Sequence, residues 1–225
     1  MGLLDSDGRW QDDPGNIDGI ILEYFGSIFK SNELVDFEAS LSAIHPKVTP
    51  AMNATLTANF KAEEVCNALQ QVHPTKSPSP DGMSPIFYQK YWDVVGTNVI
   101  YCVLHTLNTG VMPFGLNETF IYLIPKVKSP QKITEFLRIS LCNVSYKIIS
   151  KVLDNRLKKI LADVINESQS AFVAGRQITD NVLVVFETMH CINGKRKGKE
   201  ALMALKFDMS KAYDRVEWRY LEVIM

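Results

Sequence analysis

Cysteine is scarce in this chain, with four in 225 residues, at Cys66, Cys102, Cys142 and Cys191. None forms a CxxC pair and none stands with a histidine at zinc spacing, so neither a disulfide framework nor a sequence-evident zinc site is present. Reduced, buried thiols in an intracellular setting are the plain reading, with nuclear and cytoplasmic not distinguished. The four histidines are equally scattered and are assigned no chemistry. Long hydrophobic runs are absent as well: nothing approaches the roughly 20 apolar residues of a membrane span. The opening, MGLLDSDGRWQDD, is acidic and polar and lacks the basic, apolar and small-residue succession of a secretory leader. Ser6 formally completes a myristoylation pattern after Met1-Gly2, but so short a match recurs by chance. Paired acidic residues are also rare. The one Asp-Asp, Asp12-Asp13, lies in the polar lead.

What is present is an ordinary globular composition, 46% hydrophobic and 22% charged, in a length that suits one or two domains. The net charge of −1 hides an asymmetry. Residues 1–50 carry nine acidic against three basic side chains, whereas residues 126–159 carry nine basic against two acidic. An acidic lead-in followed by a basic middle suggests a surface facing a polyanion, although a solvated helix face gives the same pattern.

Along the chain, Ile17 to Phe29 has apolar residues at helical spacing. Pro46 to Pro50 is a breaker stretch, and Thr57 to Val72 reads as a second helix that Thr55 or Thr57 can cap. Lys76 to Pro85, KSPSPDGMSP, is a rigid irregular loop. Ile86 to Thr109 continues as one or two helices whose apolar stripe suits a core. Thr119–Pro125 and Glu135–Cys142 have strand composition around a Ser129–Lys132 turn, the mark of a hairpin. Val144 to Ile165 is an amphipathic helix pattern on which Lys147, Lys151 and Lys158 fall within about 40° of one another. That ridge either tracks a phosphate backbone or is simply solvated. Asp180 to Cys191 reads as a further helix, and residues 194–199 as a basic turn.

The stretch with the most chemistry is the last, ALMALKFDMSKAYDRVEW. Ala201–Leu205 has the unbroken apolar character of a covered strand, and Asp208 stands where it ends, before Tyr213, Val216 and Tyr220 resume helical spacing. Asp at such a junction is either a local cap or turn residue or a hard oxygen ligand suited to Mg²⁺.

This stretch resembles the first catalytic motif of reverse transcriptases, in the form used by plant non-LTR (LINE-type) retrotransposons. Other phrases fall in the same order. Asp7-Gly8-Arg9-Trp10 with Tyr24-Phe25 resembles the linker after that family's endonuclease. Ser77 to Gly82 resembles its Pro-Asp-Gly loop, with Ser79 where the family has Gly. Residues 169–181 resemble an insertion of non-LTR and group II intron enzymes, with Ala174 where the family usually has Pro. The resemblance implies an α/β (α+β), helix-rich, partial right-hand polymerase fold. It implies a lead-in over 1–75 that would follow an endonuclease, an N-terminal extension over 76–118, fingers over 119–200, and the start of a palm over 201–225.

It further implies Asp208 as a catalytic metal ligand, with the Met209 carbonyl beside it and Mg²⁺ as cofactor. Lys126, Arg138, Lys211, Ala212 and Tyr213 would serve the incoming dNTP, and Arg176 would join Lys147, Lys151 and Lys158 on an RNA template and DNA primer. Arg138 is one place later than the family's Arg, so that in an unchanged strand register Leu137 would face the nucleotide. Two-metal phosphoryl transfer needs further carboxylates. In the family an aromatic-x-Asp-Asp hairpin carries them, and it would lie in the same reading frame past Met225 or in another chain. Two functions are expected on this basis: an RNA-directed DNA polymerase, or a non-catalytic remnant binding nucleic acid weakly.

Overall fold

The computed structural model describes residues 2–31, 38–42, 44–194, 202–209 and 211–224. They divide into two units built from interleaved segments, residues 1–46, 121–139 and 206–225 in one and residues 47–120 and 140–205 in the other.

In the first unit, two-residue strands β1 (Leu3–Leu4) and β2 (Trp10–Gln11) pair antiparallel, Leu3 opposite Gln11. Helix α1 spans Pro14–Phe29, and the four-residue α2 spans Glu38–Leu41. The start of α1 is set by Asp13, whose Oδ2 accepts from the Asn16 N–H at 3.2 Å, and by Pro14 in the first turn. The expected stripe, Ile17, Ile20, Ile21, Tyr24, Phe25 and Ile28, is the half-buried face. Ile17, Ile20, Ile21 and Tyr24 of that face pack on a small core of Leu3, Ile133 and Phe136. Strands β3 (Thr119–Pro125) and β4 (Phe136–Cys142) pair as the expected hairpin, of which residues 121–139 belong to this unit. Its connection is closed by Glu135, whose Oε2 accepts from the N–H groups of Gln131 (2.6 Å) and Lys132 (3.2 Å). These two bonds hold the Glu135 carboxyl below its ordinary range.

The second unit is a three-helix core. Val65, Ala68 and Leu69 of α4 (Ala62–Gln71), Val99 and Val103 of α6 (Trp92–Thr109), and Val144, Ile148, Ile149 and Val152 of α7 (Val144–Leu157) bury one another. The short α5 (Pro85–Lys90) precedes α6, so residues 86–109 form two helices. The apolar stripe there is core only in part: Tyr91 is 55% exposed.

Several expectations are corrected. Thr57 ends a helix rather than capping one: α3 runs Pro50–Thr57 behind a Thr49 cap, and α4 starts only at Ala62. Pro50 is tolerated in the first turn because its missing N–H has no partner to lose there. The 144–165 helix is interrupted, since Lys159 and Ile160 donate to carbonyls three residues back (Arg156 and Leu157), tightening the turn before α8 (Leu161–Val164). Leu153 and Leu157, expected on the apolar side, are exposed. The helix read at 180–191 spans Ile178–Gly194 as α9, and the basic residues 195–199 lie outside the described residues. Leu202–Leu205, read as part of a covered strand, is neither strand nor helix, and Leu202, Met203 and Leu205 are exposed. A strand exists only by pairing, and none of the described strands pairs with this run. Finally, Ser79, standing where the family has Gly, does not have a positive φ. It is buried, and its Oγ accepts from the Val144 N–H at 2.9 Å, satisfying a donor at the start of α7.

Arg156 ties the second unit together. Its guanidinium donates to both Glu64 oxygens (2.7 and 2.9 Å), to the carbonyls of Leu56 (2.9 Å) and Asn59 (3.1 Å), and to that of Ala58. It also lies over the Phe60 ring at 3.5 Å. The hydrogen bond from Arg156 holds the Glu64 carboxyl below its ordinary 4.5, outweighing the upward push of burial. A carboxyl lowered by folding stabilises the fold above its unfolded value, and that contribution is lost as pH falls through the folded value. Arg156→Met is expected to cost about 3 kcal/mol, the lower end for one partner of a buried pair because Glu64 is partly exposed. It should also flatten the acid limb of stability below about pH 4.5. Urea unfolding at several pH values reads both, and an unchanged acid limb would remove Glu64 from this account.

Candidate nucleotide and nucleic-acid sites

Lys126, Arg138 and Lys211 come from distant parts of the chain and meet at one cleft of about 160 Å³ in the first unit. Lys126 follows β3. Its Nζ donates to the Thr134 carbonyl across the hairpin connection at 3.3 Å. Arg138 lies on β4, where both it and Leu137 line the cleft. The one-place shift therefore does not turn Arg138 away from Lys126, contrary to the strand-register expectation. A two-stranded ribbon twists strongly and has no third strand to keep its faces apart. Lys211 arrives through a turn in left-handed conformation, φ 55°, that opens the four-residue α10 (Ala212–Arg215).

Each cation has a partner. Arg138 forms an ion pair with Asp214 of α10, and its guanidinium carbon lies 6.0 and 5.9 Å from the ring centres of Phe25 and Phe29. The Lys211 ammonium lies 4.1 Å over the Tyr24 ring. Burial, then the nearby Arg215, lowers the Lys211 amine. The sequence reading missed the role of α1 here, taking Tyr24 and Phe25 as a linker phrase. It also passed over Asp214, whose opposite charge within a basic motif was the available signal.

Asp208, Met209, Ala212 and Tyr213 are not among the cleft's lining residues. Asp208 is exposed and in neither helix nor strand, and Tyr213 is 82% exposed on α10. The helix expected through Val216 stops there, because Val216 is extended. The next helix, α11 (Trp218–Ile224), follows, with the Leu221 N–H donating to the Glu217 carbonyl at 3.1 Å. Among the described residues no three His, Cys, Asp or Glu side chains come together as metal ligands. A lone exposed carboxylate does not fit a two-ion centre.

The basic ridge of α7 borders an open groove of about 510 Å³ in the second unit, lined by Lys76, His73 and Tyr146 as well as Lys147 and Lys151. Lys147 donates to the Ser77 carbonyl at 2.5 Å, and burial lowers its amine. Lys151 and Lys158 both grip Asp154, at 2.9 and 2.8 Å. Burial raises the Asp154 carboxyl, but the hydrogen bonds from Lys158 and Lys151 outweigh it and leave the group below its ordinary range. Arg176 turns onto the chain, donating to the carbonyls of Asn166 (2.6 Å), Gln169 (2.8 Å), Ala162 (3.2 Å) and Ile165 (3.4 Å). It clips the 162–176 segment by satisfying carbonyls that a helix end and turn leave open.

Residues 124–223 match the family model described as reverse transcriptase (RNA-dependent DNA polymerase). Over 220 residues, 97% of its own length, the chain is 30% identical to the transposon TX1 uncharacterized 149 kDa protein of Xenopus laevis. It spans 17% of that protein. Every site residue named above from Lys126 to Tyr213 falls inside the matched segment. No helix among the described residues is long and apolar enough to cross a membrane.

By leaving those four carbonyls without their donor, Arg176→Ala should speed amide exchange across residues 162–181 by about fivefold, taking one net hydrogen bond as roughly 1 kcal/mol. Hydrogen-exchange mass spectrometry measures this. Unchanged protection together with a loss of RNA binding would instead assign Arg176 to a nucleic-acid contact.

Proposed function

We propose that this reverse transcriptase segment comes from a non-LTR, LINE-type retrotransposon and that its cleft receives the triphosphate of an incoming dNTP. The observation that carries the reading is the convergence of Lys126, Arg138 and Lys211 on one small cleft. Arg supplies a planar fork of donors and Lys a compact point charge, the combination that suits phosphate oxygens. Tyr213 would gate the sugar and Ala212 would offer backbone to the triphosphate. In this reading Asp208 is the first of several carboxylates for Mg²⁺, and the others are supplied by more of the protein. The chain spans about a sixth of its curated relative, and in this reading polymerisation would be the work of a longer protein. The template and primer would run along the groove beside Lys147 and Lys151, with Lys158 and Arg176 in supporting positions. The division into a lead-in over 1–75, an extension over 76–118, fingers over 119–200 and the start of a palm over 201–225 belongs to this proposal, as does a plant origin.

A second reading, a non-catalytic remnant, draws support from the Asp154 bridge that already neutralises part of the basic ridge. The two part on primer extension along an RNA template by the longest protein the locus encodes. A polymerase extends and loses extension in Asp208→Ala, whereas a remnant gives none.

For the cleft itself, equilibrium dialysis of the chain against a labelled dNTP is the direct test. Lys126→Gln is expected to weaken binding about fivefold, the scale of one exposed charged contact near 1 kcal/mol. Binding should also weaken between 50 and 200 mM salt, as exposed charges are screened. Affinity indifferent to both would overturn the triphosphate assignment.

A further inference from the structure

Asp214 does not itself line the cleft, but its carboxylate holds a cation that does, Arg138. In that pair only 17% of the aspartate side chain and 26% of the arginine's are exposed. The same arginine lies beside two aromatic rings of α1, and the neighbouring Lys211 lies over a third. Lys126 is bonded to a backbone carbonyl. The cleft's cations are thus engaged by groups of the same unit.

We infer that Asp214 is an internal competitor for the phosphate-binding arginine, a carboxylate latch that an entering polyphosphate must displace from Arg138. This rests on the reading of the cleft as a triphosphate site. Two physical effects act together. The carboxylate takes donors of the guanidinium fork that a phosphate oxygen would otherwise engage, and its charge repels the entering anion at short range in a partly desolvated cleft. Entry is then an exchange of one charge-assisted pair for another, and apparent affinity falls by the population of the latched state. The aromatic face of α1 supports the latched position, since the two rings give the guanidinium a resting place near the carboxylate. Asp214 is carried by a four-residue helix between a left-handed Lys211 and an extended Val216. Such a short element can release its contact without unravelling a longer helix.

Inorganic tripolyphosphate, free of base and sugar, is the probe, and binding to the chain is followed by isothermal titration calorimetry. Asp214→Asn keeps the shape of the side chain, removes the charge, and is expected to tighten binding about five- to tenfold. Asp12→Asn, which makes the same change of net charge in the polar lead, should shift binding by less than twofold. Combining Asp214→Asn with Arg138→Gln should abolish the gain, because the latch acts on that arginine alone. Asp214→Ala, read with thermal unfolding of every variant, covers the case in which the asparagine variant fails to fold.

Equal tightening by Asp12→Asn and Asp214→Asn overturns the latch and leaves general electrostatics. So does a gain that survives Arg138→Gln. If wild type binds and Lys126→Gln weakens binding while both Asp214 variants match wild type, the latch is overturned and the triphosphate reading stands. If neither wild type nor any variant binds, the triphosphate reading fails and takes the latch with it.

Discussion

A guanidinium enclosed by oxygen acceptors governs the helical unit. Arg156 projects from α7 and satisfies the carbonyls where α3 ends, while its fork holds the carboxylate that closes the start of α4. The Glu64 Oε2 also accepts from the Lys61 N–H at 2.9 Å, so one side chain caps a helix and neutralises a buried cation together. Aliphatic packing of α4, α6 and α7 supplies the driving force, but it is not directional. The charged, geometrically demanding Arg156 centre selects one register among the ways in which three apolar faces can meet.

The first unit solves a different problem. A two-stranded hairpin cannot sustain itself in water and needs an apolar cover. Helix α1 provides one, with Ile17, Ile20, Ile21 and Tyr24 packed against the small core around Ile133 and Phe136. The same helix brings aromatic rings up to the cleft cations. Cover and cleft are therefore two uses of one helix face, and the charge pattern that suits a phosphate is built over aromatic surface that already occupies it.

Much of this was legible from residues alone. The α1 stripe, both strands of the hairpin, the irregular Lys76–Pro85 loop and the start of α7 depend on period and on proline placement, which act locally. Lys126 and Arg138 were candidates for phosphate on sequence grounds, and the structure brings them together with Lys211. The errors share a cause. Ala201–Leu205 was read as a covered strand on its apolar content, but content does not supply a pairing partner. The spacing of Lys147, Lys151 and Lys158 and the place of Arg176 in the chain likewise carry no sign of the hydrogen-bond partners that each takes within the unit, some of them many residues away. The register argument that sent Arg138 to the opposite face assumed a flat strand, and a short ribbon is not flat.

By itself, the sequence determined where helices and turns begin, through caps, prolines and the spacing of apolar side chains, all of which act within a few residues. It also determined the charge inventory and the segment, residues 124–223, that matches the reverse transcriptase family model. Only the tertiary structure decided which charges meet: Arg138 with Asp214, Arg156 with Glu64, Lys147 with the Ser77 carbonyl, and the Ser79 hydroxyl with the start of α7. The reason is range. Periodicity and capping are encoded by neighbours in the chain, whereas a side-chain oxygen or a guanidinium takes its partner from whatever the packing of distant segments brings within about 3 Å.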